Sequence, residues 1–590
     1  MGNLRRTHYS TRVTEDMIGQ EVVVAGYVAK SRDLGSVIFC DVRDTKGIIQ
    51  LNFNDECPRD VFEKAKTLRN EYVVMARGIV AARESVNRNI ETGKIEILVK
   101  ELRVLSEAET TPFEIKDNVN VNDELKLKYR YLDLRRTVAH EGLMIRHRIA
   151  KIARDYFDDN DFVEIETPIL VKSTPEGARD YIVPSRVQPN RFFALPQSPQ
   201  LYKQLLMLSG YDRYFQLARC FRDEDLRADR QPEFTQIDIE MAYVDEVDIQ
   251  TVNEGFIKRV FKEVLDVDVP TPFPRLTYKD AMDRYGSDKP DTRFEMKLCD
   301  ISECVKDTEF SVFKSAIEEG GSVRCVVAKG LADKFTRKEL DRLAQVAKTY
   351  GAKGLAYTRL NKDGVSSSFE KNLTEDEIKA IREKCGAREN DVILVVADRD
   401  NNVVYAALGA IRLDIGKKYG LYDPEKFNFL WVTDFPLFEW DKEEGRYAAV
   451  HHPFTCPKDE DIDKVETDPG ACRAKAYDMV LNGVELGGGS IRISNPELQR
   501  RMFKVLGFTE ERMQNSFGFL IEAYRYGAPP HGGMAYGFDR LCMLMGRKDT
   551  IRDVIAFPKV QNAGELMTGC PDIVEQKQLD ELYISLIEKK

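Results

Sequence analysis

The chain has 590 residues, of which 43% are hydrophobic and 32% are charged, and its formal net charge is −11. That length exceeds one ordinary core, so we expect three or more domains. The acidic balance argues against a protein that coats nucleic acid non-specifically, although local basic patches could still bind one. No apolar run approaches the roughly 20 residues of a membrane span, and Met1–Arg6 lacks the apolar core of a signal peptide.

Eleven cysteines are scattered along the chain, and none forms a C-x-x-C pair. Together with only six histidines, this pattern argues against a disulfide framework or a zinc site. We therefore expect reduced thiols in a cytoplasmic protein that needs no zinc.

The first hundred residues show the pattern of a β-barrel. Five apolar segments predict strands, and a short helix, Val61–Leu68, falls between the third and the fourth. The predicted strands are Glu21–Val28, Val37–Val42, Ile48–Phe53, Tyr72–Ala81 and Ile95–Leu105. Five strands with a helix in that place are typical of an OB-fold.

One aromatic residue of this module, Phe39, admits two interpretations. It lies near Arg32, Arg43 and Gln50 in the predicted barrel and could stack on unpaired bases. Its neighbours Val37 and Ile38 are apolar, so it could equally belong to the barrel core. The sequence alone leaves both open.

The region after the barrel predicts a linker and then a helix–strand unit. Ser106–Asn122 is polar and aperiodic. A helix over Glu141–Asp159 is indicated by one apolar stripe of Ile145, Ile149, Ile152 and Tyr156. The segment Asp161–Pro168 reads as a strand that a proline ends.

A different rhythm begins near Asp288 and ends near Ile411. Predicted strands alternate there with charged helices, which indicates an inserted α/β domain. The strands are Val323–Val327, Ala352–Tyr357 and Val392–Val396, and the helices are Thr336–Thr349 and Glu375–Lys384. A C-terminal extension closes the chain and ends in a predicted helix.

Two distant segments, Cys220–Gln236 and Gly532–Arg540, carry the main chemical signal. Arg222 precedes a dense charged turn and then Pro-Glu-Phe-Thr-Gln, whereas Arg540 follows a glycine-rich approach. An arginine in each segment could neutralise the phosphates of a bent ATP, Arg222 at the α-phosphate, as adenylate formation requires. No G-x-x-x-x-G-K-[ST] loop is present. An isolated charge cluster would be a solvated loop, and only the pairing of the two segments favours the catalytic interpretation.

Two carboxylates, Asp478 and Glu485, flank Asn482-Gly483. A strand–turn–strand could bring them to one face, where they could hold Mg²⁺ that bridges ATP phosphates. The neighbouring Gly487-Gly488-Gly489 would allow close backbone approach to a ligand. Either carboxylate alone would be an ordinary surface group.

Several polar residues predict a pocket for a small carboxylate. Gln200 and Lys203 fall on the first turn of a predicted helix, where a lysine is a poor match to the dipole and suits an anion. Paired with Arg492, this lysine would bind a carboxylate. One histidine of His451-His452 is expected in the substrate pocket, and Glu176, in a turn-rich loop, could meet an ammonium group.

These residues resemble a known family. Phe221–Glu224 and Gly537–Arg540 resemble motifs 2 and 3 of class II aminoacyl-tRNA synthetases, and the helix–strand ending at Pro168 resembles their motif 1, the dimer element. Thr174–Asp180, Gln197–Gln204 and the His451-His452-Pro453-Phe454 segment resemble, more closely, the bacterial aspartyl-specific branch. The resemblance covers essentially the whole chain, including the place of its so-called GAD domain.

The resemblance implies that ATP and L-aspartate form aspartyl-adenylate, from which the aspartyl group passes to the 3′ end of tRNA-Asp. It implies catalytic roles for Arg222, Glu485 and Arg540. The aspartate site would comprise Glu176, Gln200, Lys203, Arg222, Asp238, His451 and Arg492. The ATP site would comprise Arg222, Asp223, Glu224, Gln231, Phe234, Glu485, Gly537, Phe538, Asp539 and Arg540. Mg²⁺ would bind Asp478 and Glu485, and anticodon-reading positions would be Arg32, Leu34, Phe39, Gln50 and Glu96.

The implied fold is a multidomain α+β protein that forms a homodimer. It would have an N-terminal OB-fold barrel, a class II antiparallel-sheet catalytic domain and an inserted α/β, GAD-like domain. The expected boundaries are 1–107 for the anticodon-binding barrel, 108–140 for a linker, 141–287 and 412–560 for the catalytic domain, 288–411 for the insertion and 561–590 for the extension.

Other functions share parts of this sequence pattern. Asparaginyl- and lysyl-tRNA synthetases are the nearest alternatives, and the Thr-Pro-Glu-Gly-Ala-Arg-Asp loop and the insertion favour aspartate. A catalytically silent RNA-binding relative would have lost Arg222, Glu485 or Arg540, and a tRNA-independent ligase would lack the barrel. Whether tRNA-Asn is also charged stays open, although Leu34 resembles the type that discriminates.

Overall fold

The computed structural model describes residues 4–174, 178–224 and 230–587. The chain consists of two compact units, Met1–Val138 and Ala139–Lys590. In the described parts of the chain, no helix is both long and apolar enough to cross a bilayer.

The first unit is built on a closed five-stranded barrel. Its elements are β1 Glu21–Asp33, β2 Ile38–Arg43, β3 Ile48–Phe53, α1 Arg59–Lys66, β4 Val73–Ala82, β5 Ile95–Ser106, α2 Asp123–Lys128 and α3 Arg130–Asp133. The strand order is β1-β2-β3-β5-β4, with β3 and β5 parallel. The predicted barrel and the helix between its third and fourth strands are confirmed, although α1 begins two residues earlier than predicted.

The barrel core decides the position of Phe39. Successive side chains of a strand point to opposite faces, and Ile38 and Cys40 on either side are fully buried in the barrel core. Phe39 is only half-buried and is absent from that core. The interpretation of Phe39 as a core residue is therefore wrong, and its ring faces outward.

The segment that follows α3 is fixed to the barrel by charge. Glu71, which is 4% exposed, accepts hydrogen bonds from Arg43 Nη2 at 2.8 Å and Arg135 Nη1 at 2.9 Å. The Arg135 guanidinium also lies 4.1 Å from the centre of the Tyr27 ring. A buried carboxylate needs such partners to offset its desolvation, so this segment packs on the barrel.

The second unit carries seventeen further strands in its described residues. They are β6 Val163–Glu164, β7 Ile182–Pro184, β8 Phe192–Ala194, β9 Arg213–Phe221, β10 Glu233–Ala242, β11 Arg275–Thr277, β12 Cys299–Asp300, β13 Ser322–Ala328, β14 Ala356–Asn361, β15 Gly364–Ser367, β16 Val392–Asp398, β17 Phe429–Thr433, β18 Phe438–Asp441, β19 Arg446–Ala449, β20 Ala476–Leu481, β21 Val484–Ile491 and β22 His531–Gly537.

The remaining helices are α4 Thr137–Asp158, α5 Gln200–Leu208, α6 Glu246–Leu265, α7 Tyr278–Tyr285, α8 Ser311–Glu318, α9 Arg337–Thr349, α10 Glu375–Cys385, α11 Asn401–Lys418, α12 Pro496–Val505, α13 Glu510–Tyr524, α14 Phe538–Met545 and α15 Gln576–Glu581. The predicted helix over Glu141–Asp159 is confirmed as α4, which begins four residues earlier.

The main sheet has eight strands in the order β11-β17-β20-β21-β22-β10-β9-β6. Its interior pairs are antiparallel. Among the described strands of this sheet, only the edge pairs β11–β17 and β6–β9 are parallel. Residues of α4, α6 and α14 join apolar residues of these strands in one core. Ile149 and Ile152 of α4 are buried there as the stripe predicted.

A second sheet, of order β12-β13-β16-β14-β15, lies within the inserted region. Separate apolar cores contact its two faces, so helices cover it on both sides. The prediction of a strand from Ala352 is wrong, because Gly351 adopts φ 88° and ends α9. The Ala352 amide still donates to the Ala347 carbonyl in the helix-ending turn, and β14 begins at Ala356.

Candidate active site

A cleft of about 710 Å³ opens over the middle of the eight-stranded sheet. Strand alternation creates it. Ile237, Ile239 and Met241 of β10 enter the core, which turns the intervening residues Asp238 and Glu240 to the opposite face. The cleft is therefore the polar face of the sheet whose other face is the core.

Small residues keep the floor of this cleft open. Across the sheet, Asp238 of β10 lies opposite Ala535 of β22, which lies opposite Gly488 of β21. A Cβ at Gly488 would come 2.2 Å from Asp478 Oδ1, and a Cβ at Gly533 would come 2.0 Å from Glu240 Oε2. Glycine is required at Gly533, where a Cβ would also come 2.2 Å from the Ile239 carbonyl oxygen, whereas a Cβ at Gly488 would force the Asp478 carboxylate to move.

Four buried charges lie at one end of the cleft. Lys203 Nζ, on the first turn of α5, lies 2.9 Å from Asp238 Oδ2 and 3.4 Å from Glu240 Oε2. Arg492 donates from Nε to Glu240 Oε1 at 2.9 Å and from Nη2 to Glu240 Oε2 at 3.0 Å. All four residues are at most 3% exposed. We call Lys203, Asp238, Glu240 and Arg492 the charge quartet.

Histidine and serine complete the surroundings of Arg492. Its Nη1 contacts His452 Nε2 at 2.7 Å and donates to Ser490 Oγ at 2.6 Å. Burial, and then the charge of Arg492, hold the pKa of His452 well below its usual value. The imidazole is therefore neutral, and its Nε2 accepts from Arg492.

The quartet leaves one buried acceptor without a partner. Asp238 Oδ1 has no hydrogen bond within the described chain, and neither does the nearby Gln200 Nε2. Both residues line the cleft. Burial raises the pKa of Asp238 to about 6, although Lys203 opposes the effect. An unpaired buried carboxylate oxygen is costly unless a ligand satisfies it.

Arg222 and Phe234 lie together along the cleft, where β9 ends and β10 begins. The Arg222 guanidinium is 5.1 Å from the centre of the Phe234 ring, and Arg222 Nε is buried without a described partner. Nearby, Arg230 forms an ion pair with Glu224. Both pairs line the cleft, so this side offers a cation, an aromatic face and a carboxylate.

The opposite side carries the two carboxylates that the sequence paired. Asn482 and Gly483 have φ of 53° and 86° and form the tight turn between β20 and β21 that such a pair favours. Asp478 and Glu485 both line the cleft. Burial, and then the charge of Asp478, raise the pKa of Glu485.

Two further side chains complete this side. His451 Nε2 lies 3.5 Å from Asp478 Oδ1, and the His451 ring packs edge-on against Phe435. Arg540 donates from Nη1 to the Glu485 carbonyl at 2.7 Å. Arg540 is thus anchored to the strand that carries the carboxylate, at the rim of the cleft.

Gln231 lines the cleft, but its side-chain amide hydrogen-bonds to the backbone of Lys559. Its Oε1 accepts from Lys559 N at 2.7 Å, and its Nε2 donates to Lys559 O at 3.1 Å. Lys559 Nζ in turn lies 3.3 Å from Glu233 Oε1. The structure therefore shows Gln231 fastening the segment around Lys559 to the beginning of β10.

Asp539 ties three elements together behind the cleft. It accepts from Thr235 N of β10 at 2.9 Å and forms an ion pair with Arg146 of α4. Arg146 also donates to Thr235 Oγ1 at 3.0 Å and lies 4.5 Å from the centre of the Phe538 ring. The segments resembling motifs 1, 2 and 3 thus meet through one carboxylate.

Glu176 lies outside the described residues. The described parts of its loop are held by Gln197, whose Nε2 donates to Ala178 O at 2.8 Å and to Asp180 Oδ1 at 2.6 Å. Arg179 and Asp223 form a short β-bridge, and Asp223 N donates to Arg179 O at 3.1 Å. Asp223 therefore links this loop to the start of the Arg222 loop.

A second polar cluster lies on the barrel of the first unit. Gln50 Oε1 accepts from Arg32 Nη2 at 3.0 Å and from Arg83 Nη2 at 2.9 Å. Glu96 accepts from Gln50 Nε2 at 2.6 Å and from Asn52 Nδ2 at 2.7 Å. Four of the five predicted anticodon positions, Arg32, Phe39, Gln50 and Glu96, lie around this cluster, and Leu34 lies at a turn and is 69% exposed.

Several residues of these sites were not identified from the sequence pattern. They are Glu240, His452 and Ser490 around Arg492, Arg146 and Thr235 around Asp539, and Arg83 and Asn52 on the barrel. Alternation along β10 could have identified Glu240, two positions after Asp238. The others come from distant elements, and no local pattern marks them.

Comparison with known proteins gives the family. A model described as tRNA synthetases class II (D, K and N) matches residues 122–561, and one described as an OB-fold nucleic acid binding domain matches residues 22–105. The chain is 59% identical over 589 residues to the "Aspartate--tRNA ligase" of Ruminiclostridium cellulolyticum, covering 99% of both chains. It is 55% identical to the "Aspartate--tRNA(Asp/Asn) ligase" of Caldanaerobacter subterraneus subsp. tengcongensis over 99% of both chains.

Among solved structures, the fold is similar to that of the asparaginyl-tRNA synthetase from Pyrococcus horikoshii complexed with asparaginyl-adenylate. The TM-score is 0.59 at 20% identity, over 94% of this chain and 98% of the other. The match of the family model to most of the chain and the high identity over its whole length agree with the cleft and the barrel. The chain therefore belongs to the class II tRNA synthetases of the aspartate, lysine and asparagine group, and within that group to the aspartyl-tRNA synthetases.

Proposed function

We propose that this chain ligates L-aspartate to tRNA-Asp. In the first step an α-carboxylate oxygen of aspartate attacks the α-phosphorus of ATP, and the bond to the bridging oxygen breaks to release pyrophosphate. In the second step a hydroxyl oxygen at the 3′ end of the tRNA attacks the acyl carbon of the adenylate, and AMP leaves. Both steps depend on positioning and on stabilising phosphate charge.

The charge quartet is the observation that carries this proposal. Arg492 has five N–H groups and Lys203 has three. Four of those on Arg492 meet Glu240, His452 and Ser490, and two of those on Lys203 face Asp238 and Glu240. Within the described chain, each cation therefore keeps one N–H for a ligand. Two such donors suit the two oxygens of one side-chain carboxylate.

The same arrangement explains selection against asparagine. An amide presents one acceptor and one NH₂ donor, so its NH₂ would face an N–H donor of Lys203 or Arg492. In a site this deeply buried, an unpaired or repelling polar contact costs much more than in water. Discrimination of several orders of magnitude is available to sites of this kind without editing. The low pKa of His452 keeps it neutral, so it adds no third charge.

The amino group of the substrate would meet Asp238 Oδ1, the acceptor that lacks a described partner. Gln200 and His451 would line the rest of the amino-acid site, since both face the cleft. The family assigns Glu176 to the same ammonium. The α-carboxylate would lie toward Arg222, whose buried Nε is also unsatisfied.

The nucleotide would occupy the part of the cleft between Arg222 and Arg540. Arg222 would stabilise charge on the α-phosphate, Phe234 would stack on adenine, and Arg540 would hold the γ-phosphate. Glu224 lies beside this region. Asp223, Gln231, Phe538 and Asp539 support it through the backbone and packing contacts described above, which is a positioning role. Gly537, opposite Gln236 in the sheet, ends β22 directly before α14.

Asp478 and Glu485 fit a hard divalent cation such as Mg²⁺. Both supply carboxylate oxygen, the ligand that Mg²⁺ prefers. The raised pKa of Glu485 reflects burial and the like charge of Asp478, which Arg540 and Lys289 offset only in part and which a bound cation would offset further. When bound, Mg²⁺ would neutralise phosphate charge. The two side chains would hold it, and the Arg540 contact to the Glu485 carbonyl would keep that strand in place.

The barrel would bind the anticodon of the tRNA, with the outward Phe39 ring as a stacking platform beside Arg32 and the Gln50–Glu96 pair. We further propose that Leu34, at an exposed turn, favours discrimination of tRNA-Asp from tRNA-Asn. A cytoplasmic homodimer is the expected assembly. The edge strand β6 supports it, since Val163 is 48% exposed and the following Leu170 is 52% exposed.

The decisive experiment is aspartate charging of tRNA-Asp and tRNA-Asn transcripts side by side. We expect efficient charging of tRNA-Asp and far slower charging of tRNA-Asn. Charging of neither would contradict the function, whereas equal charging of both would contradict only the discrimination. Lysine and asparagine are offered in parallel assays, because activation of either would support a neighbouring member of the family.

A matched variant tests the pocket itself. Arg492→Ala should weaken aspartate binding far more than ATP binding, because Arg492 belongs to the charge quartet and not to the Arg222–Arg540 region. Pyrophosphate exchange at varied aspartate and varied ATP separates the two. Equal losses for both substrates would mean that Arg492 does not contact the side-chain carboxylate.

A further inference from the structure

A cluster of thiols lies in the inserted region, outside the catalytic cleft. Cys299 of β12 and Cys325 of β13 are directly opposite each other in an antiparallel ladder. Cys385 ends α10, and Cys304 lies in the turn after β12. All four belong to the same apolar core. No cysteine is among the described residues that line the cleft.

The contacts within the cluster are close. Cys299 and Cys325 are paired across the ladder, and Cys299 Sγ lies 3.6 Å from the Lys384 carbonyl, next to Cys385. Directly opposite residues of an antiparallel pair have Cα atoms about 4.5–5.5 Å apart. That range falls within the roughly 4.4–6.8 Å that a disulfide spans. All eleven cysteines, each of them in the described residues, are free.

The two partners differ in exposure and in chemistry. Cys325 is fully buried, whereas Cys299 is partly exposed. The neighbouring Cys325 thiol, helped by the charge of Lys384, lowers the pKa of Cys299 to about 7 against the effect of burial. The neighbouring Cys299 and Cys385 thiols, and burial, raise the pKa of Cys325. A thiolate beside a lysine at a partly exposed position is the reactive form of cysteine.

We infer that Cys299 and Cys325 form a reversible oxidation site, at which a peroxide or a small disulfide converts two thiols into one disulfide. With hydrogen peroxide, the Cys299 thiolate attacks one oxygen, the O–O bond breaks, and a sulfenic acid and hydroxide form. The Cys325 sulfur then attacks the sulfenic sulfur, and water leaves. In total two thiols and one peroxide give one disulfide and two waters.

A metal site is less well supported by the same residues. Thiolates could in principle hold a soft cation, but no group of three or more histidine, cysteine or acidic side chains within the described chain is arranged for a metal. The ladder instead brings two sulfurs face to face. The segment that leads into β12 is anchored by Arg412, which donates to the carbonyls of Asp291, Phe294, Glu295 and Met296.

The test uses the full-length protein in its reduced form. After a small excess of hydrogen peroxide at neutral pH, we expect the loss of two alkylatable thiols per chain. Proteolysis and mass spectrometry should identify one peptide pair joined through Cys299 and Cys325, and a dithiol reductant should restore both thiols. A bridge from either cysteine to Cys304 or Cys385, or no bridge at all, would overturn the assignment.

Two variants provide the comparison. Cys299→Ser removes the partly exposed thiol and should abolish the bridge, with the remaining modification spread over other thiols. Cys570→Ser removes the exposed cysteine of the extension and should leave the bridge intact. A bridge that survives in Cys299→Ser, or that disappears in Cys570→Ser, would contradict the proposal. The outcome does not depend on aspartate activation, so it is separable from the proposed function.

Discussion

Glu240 holds the guanidinium of Arg492 through two parallel hydrogen bonds, 2.9 Å from Nε and 3.0 Å from Nη2. This two-pronged pairing fixes the plane of the guanidinium as well as its position. Burial alone would raise the pKa of Glu240, but Arg492 and Lys203 outweigh it and hold the pKa below its usual value. The orientation of the substrate-facing N–H on Arg492 is therefore set by Glu240.

Glu240→Gln should impair aspartate use selectively. The variant keeps the size of the side chain but removes the charge that orients Arg492, and breaking a buried pair costs about 3 kcal/mol or more. We expect kcat/KM for aspartate to fall about a hundredfold, with KM for ATP little changed, in pyrophosphate exchange.

The control is Glu254→Gln. Glu254 is also buried and accepts hydrogen bonds from Trp431 Nε1 at 2.9 Å and Phe273 N at 3.1 Å, away from the cleft. Glu254→Gln should lower thermal stability without a selective fall in kcat/KM for aspartate. An equal effect of both variants on aspartate KM would argue against an orienting role for Glu240.

The pH dependence of aspartate binding should reflect Asp238. Because burial raises the pKa of Asp238 to about 6, its carboxylate is protonated, and a poorer acceptor for an ammonium, as the pH falls below that value. We expect kcat/KM for aspartate to fall on the acidic side of about pH 6, with the limb displaced to lower pH in kcat, because the bound ammonium favours the ionised form.

Asp238→Asn distinguishes an acidic limb caused by Asp238 from one caused by ionisation of the substrates. The variant cannot titrate at this position, so its residual kcat/KM should lack the limb near pH 6. Glu240→Gln, measured alongside, should retain an acidic limb, displaced to lower pH because the Glu240 charge helps to raise the pKa of Asp238. An unchanged limb in Asp238→Asn would assign the titration to another group.

Gly488→Ala should weaken the use of Mg²⁺. Its Cβ would come 2.2 Å from Asp478 Oδ1, so the carboxylate would have to move. We expect a higher Mg²⁺ requirement and partial recovery of adenylate formation at high Mg²⁺ concentration. Gly354→Ala, where the added Cβ meets nothing within 4 Å, is the neutral comparison, and a loss that Mg²⁺ does not relieve would point to a general distortion of the sheet.

The elements of the fold that depend on local pattern could be predicted from the sequence. The barrel strands and α4 follow from apolar periodicity, and the turn at Asn482-Gly483 follows from residues that tolerate positive φ. The error at Ala352 has the same origin. Its apolar neighbours resemble a strand, but the left-handed Gly351 and the contact with Ala347 belong to the end of a helix.

The types of residue in the site could be predicted from the sequence, but the ion pairs between them could not. Lys203 and Arg492 stand out as cations near the family motifs, yet their partner Glu240 lies 37 residues from one and 252 from the other. Sheet register places Arg492, directly after β21, near Glu240 of β10, and the packing of α5 against β10 adds Lys203. No local pattern specifies either arrangement. The same limit applies to Cys299 and Cys325, which look scattered along the chain and are opposite each other in the ladder.

Asp539→Asn should destabilise the catalytic unit and reduce its activity. The variant keeps an acceptor for Thr235 N but loses the charge that pairs with Arg146, so a partly buried guanidinium is left poorly compensated. We expect a clear fall in the thermal midpoint and a loss of pyrophosphate exchange, since Arg540 follows directly in α14. Glu263→Gln removes an exposed ion pair with Arg259, which is worth about 0–1 kcal/mol. It should change neither quantity, and a similar small effect in Asp539→Asn would mean that the three elements are held by packing alone.

Phe39→Ala should affect tRNA charging while sparing adenylate formation. The ring faces outward from the barrel, 5.8 Å from the Arg32 guanidinium, and a base stacked on it would lose about 1–3 kcal/mol of binding. We therefore expect KM for tRNA-Asp to rise roughly five- to hundredfold, with pyrophosphate exchange unchanged because that reaction takes place in the other unit. Ile18→Ala removes an exposed apolar side chain of the same unit, 48% exposed and remote in sequence from the Gln50–Glu96 pair, and should leave the KM for tRNA as it is. If both variants weaken charging alike, the effect reflects the stability of the barrel, and Phe39 is not a stacking platform.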